Sequence, residues 1–456
     1  MSWKSTVTTT LSSSTKGSKA LAKKFTPVMQ SAMTHYAQLS DDLNKAESPY
    51  LSALRQSAKA QFLEQGFPTR RDEDWGYTKL TDFVQTHFRL QGISHLTQAD
   101  ILPFLPPFAA TRIVLVDGWF SESLSDDLSE LPKGVTIESF EDLQQVPESA
   151  VQLQVHQQEL AQEPFAVMNT MLLNDGVVIQ VENHAVPDLP LFILHVQTQQ
   201  NHLANVRNRI TVGEYADVTL VEAYVSLADD LCSLTNVVSE IEIASHARIK
   251  QVVWQQQSKP SYYFNNQFVY QADHSGFTTL YAGLGCVTSR HQNHVYMNGE
   301  HIETIQNSAC YATGSQTVDS RSYTEHNEEH GFSQQLHKYV LDGQAVGVFN
   351  GMIKVARAAQ KTDGQMDNKN LILSDSAQMD TKPQLEIYAD DVKCSHGSAT
   401  GQINKEQIFY LQARGIPRAQ AVRMITEAFL LEPVEVISNK AIREWMGQIL
   451  SQSLHG

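Results

Sequence analysis

Cysteine is scarce in this chain. Four stand among 456 residues, Cys232, Cys286, Cys310 and Cys394, and no two form a CxxC pair. That excludes a disulfide framework and a zinc ribbon, and suggests a reducing compartment. Positive charge is short as well: 34 Lys and Arg stand against 50 Asp and Glu, for a formal net charge of −16. A nucleic-acid partner would select clustered Lys and Arg, so the balance argues against one. No run approaches the roughly 18 apolar residues that a membrane span needs. Neither GxxxxGK(S/T) nor GxGxxG occurs, so the chain has no ATP site of this kind and any ATP must be hydrolysed by another subunit. The first 40 positions lack Asp, Glu and Arg and are rich in Ser, Thr and Lys. A transit peptide is acid-poor in this way but usually carries Arg. Residues 1–40 therefore read as a flexible solvated tail, and the protein as cytoplasmic, with a plastid as the alternative.

What is present is an ordinary soluble composition, 41% hydrophobic and 18% charged, in a chain long enough for two or three structural units. From Asp41 to Arg89 the period is helical: Leu43, Ala46, Tyr50, Leu51 and Leu54 recur at helical spacings, and Ala58, Phe62 and Leu63 extend the series. Gly66 and Pro68 stop it. A Pro-broken linker contains "ILPFLPPFAA", "TRIVLVDGWF" (111–120) reads as a strand and turn, and 139–172 reads as helical again. The division is then a mainly helical unit at 41–160 and a β-rich core at 161–403.

In that core, runs such as "GVVIQV", "DVTLVEAYV" and "RIKQVVW" alternate at period two, with turns between and no helical crossover. Frequent polar residues within the strands, and glycines at 331, 343, 347, 351 and 364, suit a parallel β-helix. No fixed repeat length is legible, so a sandwich stays open at this point. After Gly401 the helical period returns. "NKEQIFYLQARG" closes on Gly415, Pro417 starts a second helix (Ala421, Met424, Ile425, Ala428, Phe429), and a third follows Pro433 with Ile437, Ala441, Ile442, Trp445 and Ile449 in one stripe. These make a helical segment at 404–456.

Few residues could carry chemistry. In "DDVKCSHGSATG" (390–401) Cys394 and His396 stand two apart, on one face of a strand. Thiolate and imidazole suit zinc, copper or an iron–sulfur cluster, but two donors do not close a tetrahedral site. Cys394 as a hydrolase nucleophile lacks an assignable orienting Asn or Asp. From spacing alone, a small buried Cys near a turn with His on the surface is the favoured reading. "HNEEH" (326–330) matches the inverted zincin pattern, yet that motif needs a helix and here lies between strands. His291, His294 and His301 read as surface or turn residues, with 291 and 294 on opposite faces of a strand whose single Arg reads as edge chemistry. A carbohydrate-active β-helix lyase or hydrolase is the alternative function, but the adjacent Asp390 and Asp391 would face opposite ways.

The stretch "VFNGMIKVARAAQKTDGQMDNKNLILSDSAQMDTKPQLEIYADDVKCSHGSATG", running into "INKEQIFYLQARGIP", resembles the SufB/SufD family of iron–sulfur cluster assembly scaffolds, and the SufD type within it. "PTRRDEDWGYTKL" looks like the family's N-terminal signature. The resemblance implies a right-handed parallel β-helix flanked by N-terminal and C-terminal helical regions, and a complex of one SufB, two SufC ATPases and one SufD. It implies that the chain is not itself an enzyme. It places SufB at the β-helix end and SufC at the C-terminal helices, and puts His396, with Cys394 beside it, at the SufB interface where a transient cluster forms. A flavin in the complex and a homodimer of the isolated chain are left open by it. Two departures stand out. "HGSATG" replaces the usual HGAT, a change expected to alter a turn, and Asn368 and Asn370 stand near "NKNLIL" where SufB carries a cysteine.

Overall fold

The computed structural model describes residues 25–43, 49–140, 159 and 162–454. Strands β1 (Thr111–Val116), β2 (Trp119–Phe120) and β3 (Val135–Ser139) lead into β4 (Val177–Val181), β5 (Leu191–Gln197), β6 (Leu203–Val212) and β7 (Asp217–Ser226). The run continues through β8 (Leu234–Ile243), β9 (Arg248–Gln256), β10 (Tyr262–Gln271), β11 (Gly276–Gly283), β12 (Thr288–Met297) and β13 (Glu303–Ala312). It ends with β14 (Thr317–His326), β15 (Phe332–Leu341), β16 (Val346–Val355), β17 (Asp363–Ile372), β18 (Gln378–Ile387) and β19 (Lys393–Gln402).

From β4 onward, even strands pair in parallel with even strands and odd with odd, so each turn adds one strand to each of two sheets. This is a parallel β-solenoid of about eight turns. Successive turns start at Tyr262 and Thr288, 26 residues apart, or at Val346 and Gln378, 32 apart. Corners of unequal length absorb that difference, which is why no repeat was legible. One corner is regular: Tyr215, His246, His274, His301, His330 and Lys361 all adopt φ between 56° and 62° there.

Inward side chains, among them Val237, Tyr263, Val295, Phe349 and Ile353, form one continuous core between the sheets. The core is narrow, and some of its polar members pair with one another. Glu222 accepts from Tyr224 at 2.8 Å and from Gln251 at 2.7 Å, and Gln251 and Gln267 exchange amide bonds at 2.8 Å. Burial raises the Glu222 pKa, which favours the neutral acid.

Both outer faces are covered. Helices α1 (Pro27–Leu43), α2 (Pro49–Gln65) and α3 (Pro164–Met171) lie over the even sheet, where Phe165 stacks on Phe264 at 3.8 Å. Helix α4 (Lys405–Gln412) packs on α5 (Arg418–Leu431), and α5 and α6 (Lys440–Ser453) lie over the odd sheet, where Leu430, Val434, Trp445 and Ile449 pack on Val252, Leu280 and Val340. Asn404 caps α4, and Gly415 (φ 84°) ends the turn after it. Pro417 sits one position before the helix it was expected to begin.

Several expectations need correction. Residues 27–40 are not tail but helix α1, whose Ala32, Met33 and Tyr36 are buried; positions 1–24 lie outside the described residues. The solenoid sheets begin before 161, because β1 pairs in parallel with β5 and β3 lies against β4. Of the 139–172 segment, Ser139 ends the strand Val135–Ser139 and 164–171 is helix, whereas 141–158, like Ala46, lies outside the described residues. His291 and His294 do point to opposite faces, but both are buried, since β12 is an inner strand and the helical cover closes its outer face. Arg290 on that strand is 1% exposed and pairs with Asp319, so it is core and not edge.

Candidate functional site

The solenoid is open at its C-terminal end. Strands β18 and β19 each pair on one side only, leaving two ten-residue edges unpaired. Cys394 and His396 lie on β19, in register with Gly364 and Met366 of β17. Met366 belongs to the solenoid core, and Cys394 packs against the same core, so the pair crowns the inner face at the last turn. Gly364 makes room for the thiol: a Cβ there would meet Cys394 Sγ at 3.5 Å. Cys394 is half-buried and His396 exposed. Burial raises the Cys394 pKa, so the free side chain rests as a thiol.

Further along the same strand, beneath Ser398 and Thr400, lies a floor of neutral amides. Asn368 and Asn370 bond to each other at 2.7 and 3.0 Å. Ser398 donates to Asn368 at 3.3 Å, Asn370 donates to Thr400 at 3.0 Å, and Ser398 meets Thr381 of β18 at 2.8 Å across the mouth. These side chains occupy one another and the Cys394 thiol lies against the Gly364 backbone, which leaves His396 as the exposed imidazole beside them. Among the described residues no group of three or more His, Cys, Asp or Glu side chains gathers for a metal.

Residues 397–401 are strand and not turn, paired with Asp367–Leu371, so "HGSATG" lengthens a flat edge. The "HNEEH" histidines are split: His326 is buried and bonded to Ser333 at 2.8 Å, and His330 sits at the exposed corner. Asp391 pairs with Lys361 at the corner before β19 and forms no catalytic dyad with Asp390. Cys286 and Cys310 are buried, the latter pushed up to about 12 by burial.

Helix α4 projects from the end of β19 and buries only Ile408. Phe409 (72% exposed), Tyr410 (56%) and Met424 (43%) are apolar side chains there that the described residues leave uncovered. Sequence reasoning saw the apolar stripe of α5 but not that its Met424 faces outward.

The class is that of a parallel β-solenoid with flanking helical layers and a Cys–His pair on its open edge. The family model for the SUF system FeS cluster assembly SufBD core domain matches residues 195–429, and that for the SufBD protein N-terminal region matches 27–193. The chain is 33% identical over 91% of its length to the iron–sulfur cluster assembly protein SufD of Escherichia coli, covering 96% of that protein. It is 29% identical to a SufBD family protein of Synechocystis (89% of this chain, 91% of the other) and to the chloroplastic protein ABCI7 of Arabidopsis thaliana (89% and 87%). The chain belongs to the SufBD family of iron–sulfur cluster assembly proteins and is of the SufD type. Among the described residues no helix is long and apolar enough to cross a membrane.

Proposed function

We propose that this chain is the SufD-type subunit of an assembly complex with a SufB-like partner and a SufC-like ABC-type ATPase, and that the cluster is built as cargo where its open end meets the SufB-like partner. The observation that carries this reading is the unpaired β19 edge with Cys394 and His396 on its inner face. A second chain adding strands to β18 and β19 would enclose both side chains at the joint.

Neutral imidazole and thiolate are both iron ligands. His396 is the preferred one: it is exposed and can offer a lone pair, whereas the Cys394 thiol must first lose a proton that burial holds on it. The amide floor at Asn368 and Asn370 supplies no thiolate, so the remaining ligands come from the partner. The chain acts without catalysis of its own. ATP is hydrolysed in the ATPase, which docks on α4 and α5 within the 404–456 unit. A plastid setting is compatible with the chloroplastic relative.

The test is His396→Ala in the purified three-component complex. Iron and sulfide content should fall severely while complex yield and Tm stay unchanged, because the side chain is exposed and makes no side-chain hydrogen bond or ion pair among the described residues. Cys394→Ser should have a smaller effect. Normal iron and sulfide loading in a well-folded His396→Ala complex removes the ligand role.

A further inference from the structure

One corner of the solenoid carries a column of rings. At successive turns His184, Tyr215, His246, His274, His301 and His330 occupy the left-handed region, followed by Lys361. Backbone bonds fix the column: the N–H groups of His246, His274 and His301 donate to the carbonyls of Asp273, Glu300 and Glu329, each just before the next ring, at 2.9, 2.8 and 3.2 Å. Ring centroids are 4.7 Å apart for His246–His274, 5.0 Å for His274–His301 and 4.6 Å for His301–His330. All four side chains are exposed. The backbone does not demand imidazole here, since Gly, Asn or Asp serve such a conformation and the same column admits Tyr215 and Lys361. Tyr215 cuts His184 off, and Lys361, paired with Asp391, ends the series.

We propose that His246, His274, His301 and His330 form a binding ladder for divalent transition-metal ions of the Fe2+, Co2+, Ni2+ and Zn2+ class, each ion held by imidazoles of two adjacent turns and completed by water. Imidazole suits these ions. Nitrogens bound to one ion at about 2.1 Å lie roughly 3 Å apart, so rings at the observed spacing need only tilt about their exposed χ angles to converge. The carboxylates of Asp273, Glu300 and Glu329 stand one residue before a ring and add negative potential; Glu329 Oε2 is 4.0 Å from His330 Nε2. Because no three such donors converge among the described residues, these are open two-imidazole sites and not a closed tetrahedral one. The ladder is independent of the open end and of the function proposed for it.

The experiment is calorimetric titration of the full chain, free of any affinity tag, with Co2+ at neutral pH. Four imidazoles make three adjacent pairs, of which two can be filled without sharing a ring, so about two ions should bind in this column. His274→Asn combined with His301→Asn breaks every adjacent pair while Asn keeps the left-handed backbone. That double variant should lose both ions with Tm unchanged, and His184→Asn should lose neither. Tyr215→His joins His184 to the ladder and should add a further ion. His396→Ala should leave the column's ions in place, which separates this claim from the cluster-ligand role. Unchanged stoichiometry and affinity in the double variant, or no gain in Tyr215→His, overturns the proposal.

Discussion

His291 shows what burial does to one residue. It lies inside the solenoid, stacked on Tyr281 at 4.2 Å, and burial pushes its pKa down to about 3. His195 and His337 are pushed to about 3, and His294 and His326 to about 4, also by burial. Each is neutral in the folded chain but takes a proton near pH 6.5 once unfolded. The stability they allow is therefore fully present above pH 6.5 and is lost as the pH falls toward 4. His291→Phe should flatten the dependence of unfolding free energy on pH between 6 and 4 by about 1.4 kcal/mol per pH unit, read from denaturant curves at several pH values. An unchanged slope would mean that His291 is protonated in the folded state. These histidines were legible as residues only. Four of them, His195, His291, His326 and His337, are buried by the stacking of successive turns, and His294 by the N-terminal cover, where it meets Glu163.

At the scale of elements, the helical layers are joined to the solenoid by different means. The N-terminal cover is held partly by charge. Thr78 and Arg290 both donate to Asp319, the Arg290 guanidinium lies 3.9 Å over the Trp75 ring, and Arg321 reaches Asp74 at 2.9 Å and Glu163 at 2.7 Å. Arg290 and Asp319 are 1% and 0% exposed. Asp319→Asn should cost about 3 to 5 kcal/mol by stranding the guanidinium. Adding Arg290→Met should recover most of that loss in denaturant unfolding; no recovery would deny the pairing. The C-terminal layer is held by apolar packing through Leu430, Val434 and Trp445, so deleting it would bare the odd sheet. The ATPase-docking reading is better tested at exposed positions. Phe409→Ala with Tyr410→Ala should abolish co-purification of the ATPase while leaving Tm unchanged. Retention of the ATPase by that variant would move the docking surface elsewhere.

At the scale of the whole molecule, two unpaired edges at one end make the chain incomplete as a sheet. In isolation it should self-associate through β18 and β19, with a sedimentation coefficient that rises with concentration. Ala399→Lys, at an exposed edge position, should shift it to monomer and weaken capture of the SufB-like partner together, since one surface serves both. A variant that stays dimeric would place the contact at another surface.

The strands, the terminal helices and the Cys394–His396 pair were set by local sequence. Period-two alternation, helical spacing and capping residues act over a few positions, and Cys394 and His396 share a face because strand geometry alone requires it. The parallel pairing, the inner core that holds His291, the helical face that seals His294, the amide floor beneath Ser398 and Thr400 and the imidazole column appear only once the chain has coiled. Each brings together residues about 30 or more positions apart, as in Met366 against His396 or His274 against His301. Corners of unequal length hide that spacing from a reading along the chain, and only the stacking of whole turns restores the register.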